Sequence, residues 1–260
     1  MVNLLITEIY KLKRETNLSD PISGLDGRRL LISNKVCCGF MYADHLMCNM
    51  PKEAISLSKV KNVLDVGCGV GPLSIYFALQ GKSVTALDIN PEAIKFTKMN
   101  VDRFVPHSNI KAIQGDISNV QLGKYDLIVS NPPLDEQSYM RPDIQQERIE
   151  IERRFQNGVV DSAIEDYLTN CWHDDSGKDV ADWLFIRGKS LLTSCGMLLF
   201  VCGDDFRDNA SFITEKSRCY DSWRRVFCNS RIKNLEIKDG NETMKITRKF
   251  NILVFTPCNQ

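Results

Sequence analysis

Between residues 61 and 131 the apolar positions come in short runs separated by helical spacing. Residues 62–66 (N-V-L-D-V), 83–87 (S-V-T-A-L), 110–114 (I-K-A-I-Q) and 125–130 (Y-D-L-I-V-S) read as four strands. The last is nearly continuous in apolar residues, as suits a central parallel strand buried on both faces. Residues 72–80 predict a helix that stops at Gly81. A second helix, from 91 to about 102, opens on Asn90 as N-cap, Pro91 in the first turn and Glu92 as an early acid. Strands alternating with helices in this way predict a parallel sheet with crossover helices, an α/β fold.

The flanks are less regular. Residues 1–12 predict a short helix, 17–27 a turn-rich loop, and 30–32 a short strand or arm. Residues 40–50 predict a helix with Ala43, Leu46, Met47 and Met50 on one face. After the fourth strand comes a long polar stretch, 134–182, with thirteen acids against five bases. Within it, 144–155 alternates charge at helical spacing and reads as a solvated helix. A helix over 183–192 and a fifth strand over 197–201 follow. The tail pairs 232–237 with 250–255 around Asp239-Gly240-Asn241, a hairpin signal. The expected architecture is a seven-stranded, mostly parallel Rossmann-like sheet with an antiparallel C-terminal hairpin and helices on both faces. Residues 1–59 form a helical or arm segment, and 60–260 the main domain with an insert at about 134–180.

Composition narrows the function. With 260 residues the chain fits one larger α/β domain, and 33 Lys and Arg offset 33 Asp and Glu. A neutral balance argues against a protein that coats nucleic acid, leaving room only for a local basic patch. No apolar run has the length of a membrane span, and the first residues lack a signal-peptide pattern. The ten cysteines include no C-x-x-C and no Cys/His cluster at metal spacing, so no metal is expected. Scattered thiols of this kind fit a reduced, cytoplasmic compartment.

The candidate chemistry begins at Asp65-Val66-Gly67-Cys68-Gly69-Val70-Gly71-Pro72. Glycines at alternate positions allow a tight turn and let a ligand touch bare backbone, with the amides of the next helix facing it. The second strand ends at Asp88, roughly twenty residues on, where a carboxylate grips a ribose diol in β-α-β nucleoside sites. These residues, with Gly115-Asp116 after the third strand, resemble the class I S-adenosylmethionine-dependent methyltransferases. The resemblance implies S-adenosyl-L-methionine as cofactor. It places the methionine part on Asp65, Gly67, Cys68, Gly69 and Gly71, the ribose on Asp88 with Ile89 and Asn90 beside it, and adenine on Asp116 and Ile117. It also implies that the segment before residue 60 covers the methionine end, with Phe40, Tyr42 and Asp44 as candidates.

The fourth strand ends in Ser130-Asn131-Pro132-Pro133-Leu134. Two prolines fix the backbone and remove donors, so the local polar groups are mostly acceptors: the Asn131 side-chain oxygen and the Pro132 carbonyl. Such a pair is fitted to hold an –NH2 by both hydrogens. One strand after Gly115-Asp116, this tetrapeptide resembles the amino-methyltransferase branch, most visibly the release-factor glutamine N-methyltransferases of the HemK type. The segment 88–93 (D-I-N-P-E-A) adds to that likeness. Where those families carry Tyr or Phe, this chain has Leu134, an apolar wall in place of a stacking ring. The resemblance implies an N-methyltransferase with Asn131, Pro132, Pro133 and Leu134 at the reacting centre and a protein glutamine, an RNA or other nucleobase, or a small molecule as acceptor. Two alternatives stay open: a small-molecule amine methyltransferase with the acidic insert as lid, and a non-catalytic subunit of the same fold. None of His45, His107 and His173 is assigned a catalytic role, because an amide or aryl amine loses its proton after attack.

Overall fold

The computed structural model describes residues 18–33, 36, 40–50, 55–132, 180–203, 222–239 and 242–258. Strands β1 (Asn62–Val66), β2 (Ser83–Asp88), β3 (Ile110–Gln114), β4 (Tyr125–Ser130), β5 (Leu192–Gly203), β6 (Trp223–Asp239) and β7 (Glu242–Pro257) join in one sheet of order β3-β2-β1-β4-β5-β7-β6. β1 to β5 are parallel, and β7 runs against both of its neighbours. The expected seven-stranded, mostly parallel sheet with an antiparallel C-terminal hairpin is therefore present. Helices α1 (Phe40–Asn49), α2 (Pro72–Leu79), α3 (Pro91–Phe104) and α4 (Val180–Leu191) complete the described elements.

Strand alternation divides the interior into two cores. Val63, Leu127, Val129, Leu199, Val201, Ile252 and Val254 face one side, where α1 and α2 bring Leu46, Leu73, Ile75 and Phe77. Leu64, Val66, Ile128, Leu198, Phe200, Leu253 and Phe255 face the other, against Leu184, Phe185 and Leu191 of α4. The first core also takes Ile22, Leu25, Leu30, Ile32 and Ile55, so the described residues before β1 share the domain's interior. Residues 30–32 form an arm there, with an antiparallel bridge between Leu18 and Leu31. At the amino edge of the sheet, the Asp126 carboxylate accepts from the amides of Lys61 and Asn62 and from the Thr193 hydroxyl, tying β1, β4 and β5.

Two sequence expectations change in detail. The fifth strand is twelve residues long, because β5 continues directly from α4 at Leu192. The hairpin is present, its last described pair being Asp239 with Glu242, but its pairing differs from the expected one. Ile237 lies opposite Met244 and Ile232 opposite Lys249, whereas Phe250 to Phe255 pair with Arg231 to Arg225 and, on the other side, with β5. With Asp239 opposite Glu242 the register is fixed, so the apolar run of β7 must meet residues nearer the start of β6. The missed strand, 223–231, mixes Trp223, Val226, Phe227 and Cys228 with arginines and shows no alternation to mark it. The predicted helices over 1–12 and 144–155 lie outside the described residues.

Phe185 anchors the C-terminal half. It is buried against Phe200, Phe255 and Trp223, with ring centroids 6.2, 5.0 and 5.9 Å away, and the Trp223 indole donates to its carbonyl at 2.8 Å. Truncating a buried aromatic of this kind costs about 3–5 kcal/mol. Phe185→Ala is accordingly expected to lower the urea midpoint of unfolding by that free energy. A loss under about 1 kcal/mol would mean that α4 does not hold the hairpin to the sheet.

Candidate functional site

The turn after β1 is built by backbone that only glycine adopts comfortably. Gly67, Gly69 and Gly71 have φ of 71°, 56° and 91°. A Cβ on Gly71 would also lie 3.1 Å from the Thr97 methyl carbon, so α3 packs directly on the loop. A Cβ on Gly67 would meet no neighbour within 4 Å, so that side of the turn is open backbone.

Two residues that the sequence reading passed over orient this loop. The Thr97 hydroxyl donates to the Gly69 carbonyl at 2.9 Å, and the Asn100 amide donates to the Val70 carbonyl at 2.9 Å. Asn100 also accepts from the Leu31 amide and donates to the Leu31 carbonyl, joining loop, helix and N-terminal arm. Both side chains are fully buried. Their signal in sequence was a pair of polar residues, one helical turn apart, on the inward face of an amphipathic helix. The same positions in a strand–turn–helix unit read equally well as ordinary helix polarity.

The carboxyl edge of the sheet brings the predicted residues into line. Asp116 follows β3, Asp88 ends β2, Gly67 follows β1 and Asn131 follows β4, in the spatial order of those strands. Asp88 is half-buried and accepts from the Gly69 amide at 2.8 Å and the Asn90 amide at 2.9 Å. Asp65 is buried beneath the loop, where it accepts from the Ser74 hydroxyl at 2.6 Å and from the Ser74 amide. The first turn of α2 thus spends a donor on Asp65, and the Gly67 and Cys68 amides turn to the Leu87 carbonyl. The expectation that these amides face a ligand gives way to a loop braced from within. A tight turn between adjacent parallel strands leaves its donors nearest the neighbouring strand's last carbonyl.

The remaining predicted residues fall as follows. The Cys68 thiol is buried beside the Thr97 hydroxyl, and burial pushes it well above its usual range, so it stays a neutral packing group. Ile89 is an exposed apolar residue next to Asp88. Asn90 caps α3 by accepting from the Glu92 amide. Asp116 accepts from the Ser118 amide at 2.7 Å and shapes its own turn, with Ile117 buried after it. That turn is clamped from α4, because the Arg187 guanidinium donates to the carbonyls of Ile117 and Val120. Asn131 is half-buried and Pro132 buried. The preceding Ser130 hydroxyl donates to the Val66 carbonyl at 2.8 Å, which binds the ends of β4 and β1 together. Asp44 turns to the Gly24 amide. Pro133, Leu134, the 134–179 part of the insert, His173 and the side chains of Phe40 and Tyr42 lie outside what the structure describes.

Two buried carboxyls close together set the electrostatics. Burial pushes Asp65 up to about 7, helped by the charge of Asp88 and opposed by the Ser74 hydrogen bonds. Burial likewise raises Asp88 to about 6, against the amides of Asn90, Gly69 and Ile89. Neither makes an ion pair among the described residues. A cationic nucleoside relieves this arrangement, and S-adenosyl-L-methionine carries both a sulfonium and an ammonium. The open loop backbone, the raised carboxyls and the exposed Ile89 fit that cofactor. No group of side chains able to hold a metal occurs among the described residues, and no helix there is long and apolar enough to cross a membrane.

Comparison with known proteins agrees with this geometry. Residues 43–157 match the family model of the methyltransferase small domain. A probable cobalt-precorrin-6B C(15)-methyltransferase (decarboxylating) of Methanobrevibacter smithii is 37% identical over 83 residues, 28% of this chain and 44% of that protein. A putative protein N5-glutamine methyltransferase of Methanocaldococcus jannaschii is 40% identical over 76 residues, 29% and 38% of the two chains. The chain thus spans less than half the length of these relatives. Among solved structures, precorrin 8W decarboxylase of Methanobacterium thermoautotrophicum shares the fold, with a TM-score of 0.53 at 16% identity over 92% of this chain and 99% of that one. Over residues 43–157 the chain is thus similar to methyltransferases in sequence, and the solved structure shows that it shares their fold.

The pH dependence follows from the two carboxyls. Their folded pKa values exceed the unfolded one, so the folded chain holds those protons more tightly. Their contribution to stability is complete below about pH 4 and is lost as pH rises through about 6–7. Cofactor affinity runs the other way, because a cation selects the ionised carboxylates. Melting curves and calorimetric titrations with S-adenosyl-L-methionine from about pH 5 to 8 should show both trends. A cofactor affinity flat across that window would remove these carboxyls from the binding site. Asp88→Ala is expected to weaken binding by about 1.5–3 kcal/mol, or roughly ten- to hundred-fold. An unchanged dissociation constant would contradict the ribose role.

Proposed function

We propose that the chain is an N-methyltransferase that moves the methyl group of S-adenosyl-L-methionine to a planar amide or amino nitrogen. The observation that carries this reading is Asn131-Pro132 at the carboxyl end of β4, beside the glycine turn of β1. The cofactor, when bound, supplies a methyl group activated on a sulfonium. Gly67, Cys68, Gly69 and Gly71 would hold the methionine part by close contact with the open side of the turn above Asp65, since their amides donate within the protein. Asp88 accepts from the ribose hydroxyls, with Ile89 and Asn90 alongside. Asp116 and Ile117 bound the adenine. Residues 1–59 then serve as a cover packed on the 60–260 domain, and the acidic stretch at about 134–180 serves the acceptor side.

Asn131 accepts one hydrogen of the target –NH2 through its side-chain oxygen, and the Pro132 carbonyl accepts the other. Held by both hydrogens, the nitrogen keeps its lone pair aimed at the methyl carbon. Pro133 stiffens the turn and Leu134 gives the acceptor an apolar wall. Alignment of this kind supplies up to about 7–11 kcal/mol in favourable intramolecular cases. The nitrogen–carbon bond forms as the carbon–sulfur bond breaks, and the acceptor nitrogen then releases a proton to solvent. The glutamine relative supports an amide acceptor, and a nucleobase amine presents the same two hydrogens. The cytoplasm fits the reduced thiols of Cys68, Cys195 and Cys258.

Asn131→Ala tests the reading. It removes the acceptor and should lower turnover by two orders of magnitude or more, comparable to loss of one transition-state contact of about 3 kcal/mol, with cofactor affinity retained. The assay uses radiolabelled S-adenosyl-L-methionine with fractionated protein, RNA and small molecules. Normal methylation by the variant would refute the amino-nitrogen reading.

A further inference from the structure

Parallel strands are usually joined through a helix, and α2 and α3 join β1 to β2 and β2 to β3 in that way. β3 and β4 differ. They lie on either side of β2 and β1, yet residues 115–124 connect them with no helix, only a turn at 117–119. Irregular backbone has no ladder of its own, so its polar groups need partners elsewhere. Within the turn the Asp116 carbonyl accepts from the Asn119 and Val120 amides at 3.1 and 2.8 Å. The Ile117 and Val120 carbonyls instead accept from Arg187 of α4, one from each terminal nitrogen of the guanidinium. At the far end of the connection the Lys124 ammonium donates to the Ser190 carbonyl of α4 at 2.7 Å. α4 thus holds this crossover at both ends.

The base of Arg187 is itself fixed. Phe185, two residues before it, is buried against the rings of Phe200, Phe255 and Trp223. Gly188 follows it, and a Cβ there would lie 3.1 Å from the Trp223 ring. The helix cannot slide without unpacking these contacts. Arg187 forms no ion pair among the described residues, so its planar fork is committed to the turn. From the other side Val120 folds back on Gly115, where a Cβ would lie 2.9 Å from the Val120 Cγ2. The Gly115 amide donates to the Asp88 carbonyl at 3.0 Å. Between these supports the half-buried Asp116 gives Oδ1 to the Ser118 amide at 2.7 Å, while Oδ2 makes no hydrogen bond among the described residues.

We propose that Arg187 is a positioning residue for adenine recognition: by fixing the turn, it aims the second oxygen of Asp116 at the purine 6-amino group. The inference rests on the assignment of adenine to Asp116 and is independent of the methyl acceptor. A hydrogen bond weakens steeply as its angle and distance depart from the optimum, so an acceptor on an irregular connection needs its backbone held. Arg187 does this through two carbonyls at once and supplies no contact to the ligand. Lysine at the same place keeps the charge but is a point donor, able to hold one carbonyl and not the pair.

The test is calorimetric titration of the full chain with S-adenosyl-L-homocysteine and with its analogue lacking the 6-amino group. The wild-type chain is expected to prefer the amino-bearing ligand by roughly ten- to hundred-fold, the contribution of a hydrogen bond to a charged group. Arg187→Gln should bind the analogue as the wild type does and the amino-bearing ligand roughly ten-fold more weakly. Arg187→Lys should show an intermediate ratio. Asp116→Ala should lose the preference outright, and adding Arg187→Gln to it should change the ratio no further, as for residues that act through one contact. Equal weakening for both ligands, or an unchanged preference in Arg187→Gln, would overturn the positioning role and leave Asp116 as the adenine acceptor. Should Arg187→Gln fail to fold, a wild-type ratio in Arg187→Lys would overturn it in the same way. A preference that survives Asp116→Ala would overturn the adenine assignment and the proposal with it. A wild-type chain that binds neither ligand would overturn the cofactor reading as well.

Discussion

The bond from the Gly69 amide to the Asp88 carboxylate is the contact on which the site depends. It joins the turn after β1 to the end of β2, and so sets the distance between the glycine backbone and the predicted ribose acceptor. Its strength comes from burial: a charged acceptor out of water bonds an amide more tightly than one in water. The same burial raises the carboxyl's pKa, so the apo site holds a group that a cation can ionise. Thr97 and Asn100 complete the brace by taking the loop's carbonyls from the opposite side.

That brace is possible because the sheet is covered on both faces. With β1 and β4 buried above and below, crossover helices must return over the sheet, and right-handed crossovers bring each helix N-terminus to the carboxyl edge. The helix that carries Thr97 and Asn100 starts at the Asn90 cap, two residues past Asp88. On the far side α4 performs a similar service, since Arg187 grips the turn after Asp116 while Phe185 seats the hairpin. One helix therefore links the turn after Asp116 to the C-terminal hairpin.

The two carboxyls near the ends of β1 and β2 suit a small cation, and they act on it at short range in a low dielectric.

The sequence by itself determined the parallel core, the strand that carries each site residue and the glycine turn. These are local matters: the period of apolar residues, an Asn-Pro-Glu cap, and glycines at positions where only positive φ closes the turn. β1 to β4 begin and end within a residue or so of their predicted limits for that reason. Only the tertiary structure decided how the loop's donors are used, since Gly67, Cys68 and Asp65 find partners in strands and helices distant in sequence. Thr97, Asn100 and Arg187 belong to the same class. Each is an ordinary polar residue on a helix until folding brings a backbone carbonyl from elsewhere within reach. The hairpin's register was hidden for a related reason. The first half of β6 mixes apolar and basic residues with no apolar period of its own, and its pairing was set by the buried run of β7.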